Sequence, residues 1–190
     1  GIRLGREAEE FLNGVTAGLK RMRRMVHSLH NLSRLESQQI GFARVDLNHI
    51  VETAKDRLEL SDGRRLVFST ELLPVINGSE ELLSQVMQNL FENVCKYTKG
   101  DDVILRVCYA HEPEQLAHLI SVEDEGIGIP PEAHERVFEP FQRLHHHTEI
   151  EGAGIGLSLC RRIARLHGGT LKIDEEYTLG TRMILQLPAN

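Results

Sequence analysis

The chain has 190 residues, with 22 Lys plus Arg against 28 Asp plus Glu, a net charge of −6 with histidine neutral, and 41% apolar residues. That length allows one compact domain with a short extension, and the apolar fraction excludes a disordered chain. The acidic balance argues against a nucleic-acid partner, and no run approaches the roughly 18 apolar residues of a membrane span. Three scattered cysteines (Cys95, Cys108 and Cys160) suit a reducing compartment rather than a disulfide framework or a zinc site.

In chain order, residues 7–39 come first and contain no proline. Leu12, Val15, Leu19, Met22, Val26 and Leu29 follow at spacings of 3, 4, 3, 4 and 3. This is a heptad seam, and Phe11, Met25, Leu32 and Leu35 widen it to the apolar face of a bundle helix. One helix cannot bury such a face alone, so a helical partner is implied. Gly41 closes this arm. Asp46 is placed to cap a second helix running to about Leu58. Ser61-Asp62-Gly63 is a turn, and Arg65–Thr70 alternates as a strand. A helix spans about Glu80–Tyr97. Val103–Tyr109 and Leu116–Val122 form an antiparallel pair. Pro130-Pro131 opens a short helix ending near Phe138, and residues 142–154 are irregular. A last helix runs from about Ile155 to His167 and stops at Gly168-Gly169. Leu171–Ile173 and Arg182–Leu187 close the chain as a hairpin. The expected order αβαββααββ makes an α/β (α+β) two-layer domain over residues 43–190, preceded by the helical arm of residues 1–42.

Three segments carry candidate chemistry. On the 80–97 helix, Gln85, Asn89, Asn93 and Lys96 follow at spacings of 4, 4 and 3, one polar stripe on an otherwise apolar helix, with Glu92 beside it. Asparagine is a poor helix former, so two on one face need a reason. Amide oxygens suit Mg²⁺ and an ammonium suits phosphate; a solvated amphipathic face would read the same way. Asp124-Glu-Gly126-Ile-Gly128 follows a strand. Its glycines allow backbone to approach a ligand and its carboxylate can accept from an exocyclic amine, although a plain strand-to-helix turn fits equally. Gly152-Ala-Gly154-Ile-Gly156-Leu157 opens the last helix, where backbone N–H groups favour an anion. It matches neither the dinucleotide fingerprint nor the P-loop.

Taken in order, these segments resemble a known family. Asn89-Leu-Phe-Glu-Asn93-Val-Cys-Lys96-Tyr97 resembles the N box of sensor histidine kinases. Asp124-x-Gly126-x-Gly128 resembles the G1 box, Phe138-Glu-Pro-Phe141 the F box, and Gly152–Leu157 the G2 box. The resemblance implies the Bergerat-type ATP-binding fold shared with gyrase, Hsp90 and MutL, over roughly residues 46–188. Leu29-His-Asn-Leu-Ser-Arg-Leu-Glu36 is similar to the end of the second helix of the dimerisation and phosphotransfer hairpin. Phe141-Gln-Arg-Leu-His145 is similar to phytochrome-like and PAS-linked kinases.

The resemblance also implies roles. Asn93 would ligate Mg²⁺ on the ATP phosphates, with Asn89 nearby. Lys96 would contact phosphate and Tyr97 would pack near the nucleotide. Asp124 would read the adenine amino group, with Gly126 and Gly128 giving the base room. Arg143 would reach the γ-phosphate from the lid base, and Gly152, Gly154, Gly156 and Leu157 would hinge the lid and cradle phosphates. Glu92 would orient or deprotonate the acceptor. Phosphoryl transfer depends on positioning and charge neutralisation, which this set supplies. The implied partners are a second copy of the parent protein, through the helical bundle, and a response-regulator receiver domain, with the whole unit cytoplasmic.

The chain departs from the family in two places. Thr178-Leu179-Gly180-Thr181 lacks the first glycine of the common GxGT pattern. The phosphoacceptor histidine, normally followed by an acidic residue, is also absent: neither His27 nor His30 has that neighbour, and the chain begins after the expected acceptor helix. His145-His146-His147 is a polar lid run, since adjacent histidines rarely converge on one ion. His49, His111, His118 and His167 are expected at the surface or at helix ends. Two other functions compete. A gyrase- or Hsp90-type ATPase would carry a Glu base four residues before Asn93, where this chain has Asn89. A non-catalytic nucleotide-binding dimerisation module is the other.

Overall fold

The computed structural model describes residues 15–16, 41–60, 63–142 and 154–189. Apart from Val15 and Thr16, which are helical, the heptad arm lies outside the described residues. The domain begins with β1 (Ala43–Asp46) and α1 (Leu47–Asp56). The Asp46 carboxylate accepts from the Asn48 backbone N–H at 2.9 Å, the expected N-cap. The Asn48 side chain then exchanges two 2.8 Å hydrogen bonds with the Leu73 backbone, tying α1 to a distant loop.

Next come β2 (Arg65–Thr70), β3 (Val75–Gly78) and α2 (Glu80–Tyr97). They are followed by β4 (Asp102–Glu112), β5 (Ala117–Asp124), α3 (Gly156–Leu166), β6 (Thr170–Ile173) and β7 (Arg182–Pro188). Five strands form one sheet in the order β2-β4-β5-β7-β6, with β2 and β4 parallel and the other pairs antiparallel. β1 and β3 form a separate antiparallel ribbon. Strand alternation decides which face is covered. Val103, Leu105 and Val107 of β4, Ile120 and Val122 of β5, and Met183, Leu185 and Leu187 of β7 are buried under the helices. Their neighbours in sequence lie on the open face. α2 is the central helix, with Leu83, Val86, Met87, Leu90 and Phe91 buried, and it packs against both α1 and α3.

Three expectations need correction. The ribbon strands β1 and β3 were not expected, because four-residue strands carry too little alternation and they pair across some thirty residues of chain. The helix expected from Pro131 to Phe138 is instead two 3₁₀ turns, Pro131–Ala133 and Arg136–Phe138. A segment that short, flanked by prolines, cannot repay helix nucleation. His167 sits at a helix end as expected, but it is buried rather than on the surface. Its Nδ1–H donates to the Ile163 carbonyl at 2.8 Å, and its Nε2 accepts from the Ser79 backbone N–H at 3.0 Å. The Phe42 ring stacks on it, with centroids 4.8 Å apart. Burial holds its pKa below the ordinary histidine value.

Candidate nucleotide-binding site

One end of the candidate site, where the resemblance puts the base, is built where β5 runs out. Asp124 is the last residue of that strand and is buried. Its Oδ1 accepts two backbone N–H groups, from Gly126 at 2.8 Å and from Thr181 at 2.9 Å. The Asp124 N–H donates to the Thr181 carbonyl at 2.9 Å. These bonds favour the carboxylate, but burial outweighs them and raises its pKa. Oδ1 is thereby fixed by the backbone of two segments.

The glycines fit this arrangement sterically. A Cβ on Gly126 would lie 2.8 Å from the Tyr97 carbonyl oxygen. A Cβ on Gly180 would lie 2.6 Å from the Gly126 nitrogen and nearer still to the Asp124 carbonyl oxygen. Gly128 has φ of +70° and faces the Gly180 carbonyl, so it is strained for any other residue. Ile127 N–H donates to the Tyr97 carbonyl at 3.1 Å, docking the loop after Asp124 onto the C-terminus of α2. The Arg64 guanidinium secures that terminus by donating to the Cys95 and Thr98 carbonyls at 2.7 and 3.2 Å.

The other end, where the resemblance puts the phosphates, is a helix face. Gln85, Asn89, Glu92 and Asn93 are half-buried on α2, and Lys96 is more exposed. Asn89 Nδ2 donates to the Gln85 carbonyl at 3.0 Å. Its Oδ1 lies 3.2 Å from where a Gly156 Cβ would stand, so Asn89 faces the start of α3. The Asn93 side chain has no hydrogen-bond partner among the described residues. Lys96 Nζ pairs with Glu92 Oε2 at 3.0 Å, and Gln88 donates to Glu92 Oε1 at 3.2 Å. Among the described residues no side chain caps the α3 N-terminus, and the first-turn N–H groups around Gly156 and Leu157 are of the kind that favour an anion.

Gly154, with φ of +69°, joins the lid ends: its carbonyl accepts from the Phe141 N–H at 2.8 Å. Arg143 and Gly152 lie outside the described residues. Asn89, Asn93, Lys96, Tyr97, Gly154, Gly156 and Leu157 thus come from elements that meet around α2, with Asp124, Gly126 and Gly128 at its C-terminal end. Gly180 and Thr181 belong to the base end as much as Asp124 does. The Gly180-Thr181 pair was visible in the sequence, but its contact with Asp124 was not. Among the described residues no cluster of three His, Cys, Asp or Glu could hold a metal, and no helix is long and apolar enough to cross a membrane. Cys160, buried beside Asn89, has its thiol pKa pushed up to about 12 by burial, which leaves it without nucleophilic character.

Residues 78–190 match the family described as histidine kinase-, DNA gyrase B-, and HSP90-like ATPase. The chain belongs to this family. Within it, this is a sensor histidine kinase catalytic domain with the Bergerat-type ATP-binding fold. The chain is 27% identical to the phytochrome-like protein Cph1 of Synechocystis over 189 residues, 97% of the chain and 25% of that protein. It is 34% identical to drug sensory protein A of Synechocystis over 189 residues, 92% of the chain and 28% of that protein. The kinase domain therefore spans only about a quarter of the length of these relatives. Among solved structures, the mycobacterial sensor histidine kinase MprB matches with a TM-score of 0.65 at 24% identity, covering 78% of this chain and 97% of that one. Full-length ShkA in complex with AMPPNP matches with a TM-score of 0.69 at 20% identity, covering 98% of this chain and 40% of that one. The family supports ATP-dependent phosphotransfer in two-component signalling.

Proposed function

We propose that this domain binds Mg-ATP and transfers the γ-phosphoryl group to a histidine of the dimerisation domain outside these 190 residues, for relay to a response-regulator aspartate. The observation that carries the reading is the doubly held Asp124 carboxylate beside Gly126 and Gly180, which admit no Cβ, at the C-terminal end of the helix that carries the polar face. Asp124 accepts from the adenine amino group, and Gly126 and Gly128 let the base approach. Asn93 and Asn89 offer amide oxygens. Such hard neutral donors suit Mg²⁺ held mainly by phosphate and water rather than by a protein cage. When bound, Mg²⁺ neutralises phosphate charge and aligns the transferring group.

Lys96 adds positive charge at the phosphates by leaving its pairing with Glu92. Glu92, thereby freed, orients or deprotonates the acceptor imidazole. Arg143 approaches the γ-phosphate from the lid base, and Gly152, Gly154, Gly156 and Leu157 hinge the lid and line the phosphates. Tyr97 packs near the nucleotide. Asn89 stands where a hydrolytic relative would need a carboxylate base, and an amide cannot take a proton from water, so transfer is favoured over hydrolysis. Residues 1–42 form the second helix of the dimerisation hairpin and residues 43–190 the catalytic unit. The parent protein is a homodimer working in the cytoplasm.

Calorimetric titration of Mg-ATP into wild type, Asn93→Ala and Asp124→Ala tests the site. Wild type binds and both variants lose affinity; no binding by wild type, or binding by both variants as tight as that of wild type, overturns it. Phosphorylation in trans of a supplied acceptor-helix segment tests the transfer. Failure with a folded segment would favour a non-catalytic nucleotide-binding module.

A further inference from the structure

The face of the sheet opposite the helices carries a row of alternating charge that no part of the nucleotide chemistry uses. Glu123 and Arg182 are cross-strand partners on β5 and β7, and Arg106 of β4 is the next partner across. Arg182 Nε donates to Glu123 Oε1 at 2.9 Å and its Nη1 donates to Asp174 Oδ2 at 2.8 Å. Both acceptors are largely shielded, with side-chain exposures of 10% and 19%. Arg106 pairs with Glu125 at the end of the same row. The Arg182 guanidinium lies over the Tyr177 ring, 4.4 Å from its centroid. The Tyr177 hydroxyl donates to the Asp124 carbonyl oxygen at 3.1 Å.

We infer that Tyr177 and Arg182 are positioning residues for base recognition: with Glu123 and Asp174 they clip the Asp124 main chain from behind the sheet and so orient the carboxylate that reads the base. The inference rests on the reading of Asp124 given above. Asp124 lies at a strand end, where the ladder no longer holds it on both sides. Its N–H is taken by Thr181 and its carbonyl by Tyr177, so the loop from Asp174 to Thr181 grips the residue at both backbone groups. The loop is itself pinned, by Asp174 N–H to the Arg182 carbonyl at 2.9 Å and Glu176 N–H to Asp174 Oδ1 at 3.0 Å. Arg182 is forked between two carboxylates, a rigid planar arrangement that lysine could not reproduce. The Tyr177 ring, held by that fork, carries its hydroxyl to a fixed point.

The test uses the full chain with two nucleotides, Mg-ATP and Mg-inosine triphosphate, which has an oxygen in place of the adenine amino group. Tyr177→Phe keeps the ring under Arg182 and removes only the hydroxyl. It should weaken ATP about five-fold, the typical worth of one hydrogen bond, and leave inosine triphosphate affinity unchanged. Arg182→Lys should narrow the ATP preference in the same direction. Asp124→Ala should abolish the preference altogether. Equal weakening of both nucleotides by Tyr177→Phe, or no change in either, overturns the inference while leaving Asp124 as the base reader. Unchanged ATP preference in Asp124→Ala would instead remove that reading, and the inference with it.

Discussion

The two ends of the site are built on different principles. At the proposed base end, the carboxylate is held by backbone: Asp124 is fixed by N–H groups from two loops, and Gly126 and Gly180 fill space that no Cβ can enter. At the phosphate end, the groups are side chains on one face of one helix, and the Glu92–Lys96 pair is 43% and 38% exposed. Main-chain bonds and steric exclusion leave the base end a single arrangement, preorganised before any ligand arrives. Long side chains on a wet helix face can exchange partners at little cost. A rigid, backbone-held end thus stands beside an adjustable, solvent-exposed one.

Five measurements would break or sharpen that contrast. Asp124→Ala should have the largest effect, a loss of Mg-ATP affinity of roughly 10- to 100-fold by calorimetry, because a charged acceptor is removed from a shielded site. Asp124→Asn should raise the melting temperature at neutral pH, since burial of the charge is what raises the pKa. Gly180→Ala follows, with a stability loss of about 2–3 kcal/mol in denaturant titration, because the new Cβ meets backbone on both sides. Gly180→Ala tolerated without loss would contradict a rigid base end.

The fourth measurement is pH dependence. His167 has a folded pKa below its ordinary value of 6.5, so the unfolded chain takes the proton first as pH falls. Its contribution to stability is therefore complete above pH 6.5 and is lost as pH drops below that toward the folded value. A melting curve followed from pH 8 to pH 5 should fall more steeply for wild type than for His167→Asn. Equal slopes would exclude a neutral His167 as a tie between α3 and Ser79. The smallest effect belongs to Glu92→Gln, which should change stability by only about 0.3–0.5 kcal/mol in denaturant titration, as an exposed i,i+4 pair on a helix does. A loss several times larger would mean the phosphate end is as fixed as the base end.

Much of the layout was legible from residue patterns. β2 and α2 have the limits that alternation and helical period predicted, Asp46 caps α1, and Gly168 stops α3. The four boxes came in the right order, and Asn89, Asn93, Asp124 and Gly126 lie on the elements expected of them. The ribbon of β1 and β3 was not legible, because four-residue strands depend on a partner that pattern cannot supply. The burial of His167 at its helix end was not legible for a related reason. Nothing near it in sequence announces the Ser79 N–H, 88 residues away, that satisfies its ring.

The sequence by itself determined most of the elements and, through the resemblance of its four boxes, the family, since helical period, strand alternation and box order are local properties of the chain. Tertiary structure alone decided how the base end is locked. The Thr181 N–H reaches Asp124 across 57 residues, the Tyr177 hydroxyl across 53, and Gly180 is required only because two backbone segments meet there. Hydrogen bonds and steric exclusion between distant segments exist only once the sheet has brought those segments together, and no local pattern encodes them.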